Sequence, residues 1–149
     1  MLAAIRADEI NLPLFLHVLG AMTLVGSLLF VASALIASLR RDGDAGLPLQ
    51  RVAFRWLFAG VLPSYLVMRI AAQWTESKYD FPEDNEPAWI GIGYAITEPS
   101  ALLTAISLIL GGIALRRPRR GFSTAVAILV TIMLVADLVA VWAMTVKPS

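Results

Sequence analysis

The sequence contains no cysteine and a single histidine, His17, in 149 residues. The first absence excludes disulfides, thiolate nucleophiles and thiolate metal sites. The second excludes a zinc centre built from several histidines of one chain. Charge is scarce as well. Charged residues make up 15% of the chain, against about 25% in an ordinary soluble domain. The formal net charge of +1 points to no nucleic-acid partner. The chain also lacks a phosphate-binding glycine loop, a nucleophile–base pair and a metal motif, so no enzymatic activity is assigned from it.

What is abundant is apolar surface. Hydrophobic residues make up 58% of the chain and its mean hydropathy is +0.76. Four apolar stretches run over about 11–39, 53–74, 88–115 and 122–146. Each reaches the ~20 residues needed to cross a hydrocarbon layer of about 30 Å. The expected fold is an all-α membrane protein, with four transmembrane helices in an antiparallel bundle. Residues 1–149 form one domain. Ala32-Ser33-Ala34 has the look of a signal-peptidase site, but the run before it is longer than a signal core of about 7–15 residues. Arg6 is also offset by Asp8 and Glu9. The first stretch is therefore expected to be an uncleaved span.

The charges lie between the spans. Loops 40–52 and 116–121, with Arg55 just beyond the first, hold eight of the twelve basic residues. Loop 75–87 is acidic. The positive-inside rule places the two basic loops in the cytoplasm, and loop 75–87 and both termini outside. The expected setting is a cell membrane crossed several times. The basic loops can also rest on anionic lipid headgroups, although topology alone accounts for their charge. Trp56, Trp74, Trp89 and Trp142 fall near expected helix ends, where indole rings settle at the headgroup level. Pro63 and Pro99 lie inside spans and deprive the carbonyls of Ala59 and Ala95 of their helical donors. Ser64 and Ser100, which follow them, are candidate substitutes. Gly20, Ala21, Gly60, Gly111 and Gly112 are candidate points of close helix approach.

Apart from tyrosines, four ionisable side chains lie well inside the spans, one on each: His17, Arg69, Glu98 and Asp137. At ~1.5 Å per residue, His17 and Arg69 lie about 9 and 8 Å below the outer surface, and Glu98 and Asp137 about 15 Å. Arg69 is the one cation and the expected partner of Glu98, Asp137 or both. Tyr65 and Gln73 share its helix face, and Tyr94 shares that of Glu98. The expected site is an intramembrane polar cluster of His17, Tyr65, Arg69, Tyr94, Glu98 and Asp137, lining a cavity open to the outside. Against this stands snorkelling of Arg69 and His17 to the interface.

The stretch LHVLGAMTLVG, residues 16–26, resembles the opening of bacterial four-helix integral membrane families of uncharacterised function with a His-Val-Leu-Gly first helix. It is similar, more distantly, to copper-resistance-D-like proteins and to the membrane-bound haem-containing protoporphyrinogen oxidases. In the last, a first-helix histidine is associated with haem. The resemblance implies His17 as the corresponding cofactor-binding residue, for haem or a metal. With no second histidine, haem would need another axial ligand, an open position or a second subunit.

Three functions stay open at this stage. The first is a non-enzymatic bundle that assembles with other membrane components, as a homodimer or within a larger complex. The second is a haem- or metal-binding redox protein using His17. The third is a proton-coupled transporter subunit using Glu98 and Asp137.

Overall fold

The computed structural model describes residues 8–78 and 88–146. All regular structure among them is helical. Helix α1 spans Asp8–Leu39. A 3-10 turn at Gly43–Gly46 leads into α2, Leu47–Trp56. Helix α3 is Leu62–Glu76, α4 is Ala88–Arg116 and α5 is Arg120–Val146. Three segments are long and apolar enough to cross a membrane: Ile10–Leu39, Ile90–Arg116 and Arg120–Val146. Residues 79–87, most of the expected acidic loop, lie outside the described residues, and so does the side chain of Trp89.

The second expected span, 53–74, departs most from expectation. Helix begins at Leu47, inside the expected loop 40–52, and a π-helical turn at Leu57–Val61 separates α2 from α3. The cause is Pro63. It has no N–H for the carbonyl of Ala59, and its ring crowds that carbonyl. The chain widens just ahead of it, so that the N–H of Leu62 reaches the carbonyl of Leu57, five residues back. Such a turn relieves the ring without leaving helical backbone angles. The helical path from Leu47 to Glu76 is therefore continuous. In the same way α5 starts at Arg120, inside the expected loop 116–121.

Buried positions recur every three or four residues on each long helix. On α1 they include Gly20, Leu24, Ser27, Val31, Ala34 and Ser38. On α4 they include Gly93, Ser100, Thr104, Ser107, Gly111 and Ala114, and on α5 Ser123, Val126, Val130, Met133, Asp137 and Ala140. This alternation of three and four places them along one face of each helix. Helix α1 packs along α3 and α5, and α4 along α5. Helix α2 and the π turn reach both α1 and α4, whereas the backbones of α3 and α4 do not pack closely.

The interior is divided along its length. Toward the basic end its bulk is apolar, with Leu28, Val31 and Leu35 meeting Phe54, Leu57, Val126 and Val130, and among the described residues only Ser38, Gln50 and Ser123 are buried polar residues near its end. Toward the other end the interior carries Tyr65, Ser100, Thr104 and Asp137. Small residues bring helices together, as expected at Gly20 and Gly111. A Cβ on Gly20 would stand 2.6 Å from the backbone nitrogen of Met68, and one on Gly111 would stand 2.8 Å from Leu57 Cδ1. Gly60 instead makes room for the Trp56 ring of its own helix, which also packs edge-on against Phe30 at 5.6 Å. Large apolar side chains such as Phe15, Met22, Leu102 and Ile132 point outward, as they do when lipid is the solvent.

Candidate functional site

Where the backbones of α3 and α4 stand apart, side chains span the gap. Tyr65, buried on α3, donates its hydroxyl to the carbonyl of Thr97 on α4 at 3.1 Å. One turn on, Arg69 places Nη1 3.5 Å from the Thr97 hydroxyl, the outer limit for such a bond. That hydroxyl donates in turn to the carbonyl of Gly93 at 2.8 Å, so it can accept from the arginine. The guanidinium also lies over the Tyr94 ring, 5.0 Å from its centroid. Tyr94 donates its hydroxyl to Glu76 at the end of α3. One tyrosine of α4 thus meets a cation and a carboxylate that lie seven residues apart on α3, on one helix face.

This arrangement corrects the expected pairing of Arg69. No ion pair joins it to Glu98 or Asp137; its partners are the Tyr94 ring and Thr97. Glu98 is exposed on the flank of α4, as are Ala95 and Pro99. The buried face of α4 passes through Gly93, Thr97 and Ser100, and Glu98 is rotated about 100° from Thr97. Tyr94 is similarly rotated from Gly93, but its long side chain reaches back to α3. A glutamate is too short to do so. Gln73, expected beside Arg69, is exposed as well.

Asp137 lies on the inner face of α5, 6% exposed, and its Oδ2 has no hydrogen-bond partner. His17 is half-buried on α1. Its Nδ1 lies 3.1 Å from the carbonyl of Met68, next to the close approach at Gly20. A carbonyl only accepts, so Nδ1 is the donor in this bond and Nε2 is left outside it. Ser100 does not replace the donor lost at Pro99; its hydroxyl bonds the carbonyl of Ile96 at 2.8 Å.

The expected cluster therefore divides. Tyr65, Arg69 and Tyr94 come together, Asp137 is buried on α5 without a bond to them, His17 attaches to α3 at Met68, and Glu98 faces out. Glu76 and Thr97 belong to the site and were not expected there. Glu76 falls at the edge of the acidic stretch 75–87. Thr97 heads a run of hydroxyls at three- and four-residue spacing, through Ser100, Thr104 and Ser107, which is legible in the sequence once uncharged polar residues are counted. No group of three or more His, Asp or Glu that could hold a metal forms among the described residues. Comparison of the chain with family models, with curated proteins and with solved structures finds no match.

Proposed function

We propose that the chain is a non-enzymatic inner-membrane subunit that assembles with another membrane protein through the outer flank of α4. The observation that carries this reading is the exposure of Glu98 beside Pro99. Intramembrane carboxylates normally face a protein interior, because lipid gives them neither water nor donors. Here the carboxylate faces away from its own bundle, about 15 Å along α4 from Ala88. The carbonyl of Ala95, deprived of its donor by Pro99, lies on the same flank. Both groups accept hydrogen bonds, so the complementary partner is a membrane helix that supplies a cation or hydroxyl donors at that depth.

The membrane arrangement belongs to the same proposal. The path from Leu47 to Glu76 is about 45 Å long, enough for a fourth span. With four spans, the arginine-rich ends lie in the cytoplasm and both termini outside.

The test is assembly size in mild detergent after extraction from bacterial membranes. The wild type is expected to purify with a partner, and Glu98→Leu to lose it while keeping its helicity and melting temperature. An unchanged assembly in Glu98→Leu would sink the proposal. Because the chain has no cysteine, Ala95→Cys gives a clean cross-linking probe. A product of twice the chain mass would identify the partner as a second copy.

One observation favours a second reading, cofactor binding at His17. A ring whose Nδ1 is fixed by a carbonyl presents Nε2 to a ligand, as metal-binding histidines do. A visible absorption band or bound metal lost in His17→Ala would support it; a colourless, metal-free wild type would end it.

A further inference from the structure

We propose that a polar cavity at the basic end of the bundle is a phosphate-binding site, with Arg41, Arg120 and Gln50 as the donors. The cavity holds about 180 Å³ between the turn that follows α1 and the start of α5. Its walls are tied together. Arg120 donates Nη2 to the carbonyl of Leu39 at 2.7 Å, which joins α5 to the end of α1. Gly46 lies so close to Ser38 that a Cβ there would stand 2.5 Å from the Ser38 carbonyl oxygen. Gly43 turns the chain between them at φ +56°, a conformation that glycine adopts without strain.

Gln50 carries the argument. It is 9% exposed and lines the cavity, and its amide is not among the polar atoms sealed away without a partner, so it opens to the cavity rather than into the core. An amide held at a cavity wall by its largely buried stem can both donate and accept there, so this one is suited to a ligand in the cavity. Ser38 does not compete for that role, because its hydroxyl already donates to Leu35 at 2.7 Å. Arg41 and Arg120 add guanidinium donors, whose planar geometry matches phosphate oxygens. Asp44 is the one carboxylate on the wall, and it opposes an anion. The position at the ends of α1 and α5 is the level at which lipid headgroups meet a span. The phosphate can belong to an anionic lipid headgroup or be free in solution.

The test titrates the purified full chain, in neutral mild detergent, with short-chain phosphatidylglycerol and separately with inorganic phosphate, read by calorimetry. Saturable one-to-one binding of the lipid alone supports the site with a headgroup as its source. Equal binding of inorganic phosphate supports it with a free anion. Arg41→Ala and Gln50→Leu are each expected to weaken binding about tenfold. Asp44→Asn is expected to tighten it. Arg117→Ala, outside the cavity, is expected to change it less than about twofold. Should Gln50→Leu fail to fold, the exposed positions Arg41 and Asp44 decide. Absence of saturable binding by both probes overturns the proposal. So does an equal loss in Arg117→Ala and Arg41→Ala, which would mark general charge attraction.

Discussion

The guanidinium of Arg69 lies 5.0 Å from the centroid of the Tyr94 ring, and this contact takes the place of an ion pair. The electron-rich ring face receives the cation, and the ring's hydroxyl engages Glu76. Two opposite charges of α3 are thereby satisfied by one residue of α4. The same residue closes a gap that the backbones leave open.

Removing either end of this clamp should loosen α3 from α4. Arg69→Met is expected to cost about 1–2 kcal/mol, the range of a desolvated cation–π contact. Tyr94→Phe keeps the ring and loses the bond to Glu76, at a cost of about 1.5–3 kcal/mol. Tyr94→Ala loses both. Reversible unfolding in mixed micelles measures each. In a double-mutant cycle, Arg69→Met and Tyr94→Ala should be strongly non-additive, whereas Arg69→Met and Tyr94→Phe should be nearly additive. Additivity in the first cycle would mean that the ring does not hold the arginine.

A buried carboxylate without a partner should be replaceable. Asp137→Asn keeps the shape, removes the charge, and puts an amide in place of a carboxylate whose Oδ2 was never bonded. Its expected effect on stability lies between a loss of about 0.5 and a gain of about 1 kcal/mol. Rescue of Arg69→Ala by Asp137→Ala, which a direct ion pair would give, is not expected. A loss of about 2 kcal/mol or more in Asp137→Asn would point to a strong partner for the carboxylate.

The helices and their close approaches are legible in the sequence because hydrophobic length and small residues report them directly. Gly20 and Gly111 behave as their size requires. The site is legible only in part. Depth along a helix follows from residue number, which places Arg69, Glu98 and Asp137 in one half of the bundle. Rotation about the helix axis does not follow from it. Tyr94 and Glu98 are one turn apart on α4, yet one curls inward and the other faces out, because side-chain length decides which can cross to α3. The turn at Leu57–Val61 is likewise a response to Pro63 whose form a hydropathy pattern does not contain.

The hydroxyl seam of α4 separates bonded from unbonded serines. Ser100 bonds the carbonyl of Ile96, while the Ser107 hydroxyl is buried without a partner. Ser107→Ala is therefore expected to be neutral or stabilising by up to about 1 kcal/mol, since it removes an unmet desolvation cost. Ser100→Ala should instead lose about 0.5–1 kcal/mol. Equal losses in the same unfolding assay would show that Ser107 has a partner after all.

Gly20 and Gly26 lie on the same helix and should respond oppositely to the same methyl group. At Gly20 the new carbon would meet the backbone nitrogen and Cα of Met68 at 2.6 and 2.8 Å. Backbone atoms cannot turn aside, so α1 and α3 must separate, with an expected cost of about 1–3 kcal/mol. The separation should also lengthen the bond from His17 to the Met68 carbonyl. At Gly26 nothing lies within 4 Å, so Gly26→Ala meets no obstacle and gains helix propensity, up to about 1 kcal/mol. Unfolding of the two variants, with histidine NMR to follow the His17 ring, tests both statements. If Gly20→Ala is as stable as Gly26→Ala and leaves the His17 signal unmoved, the two helices do not touch at Met68.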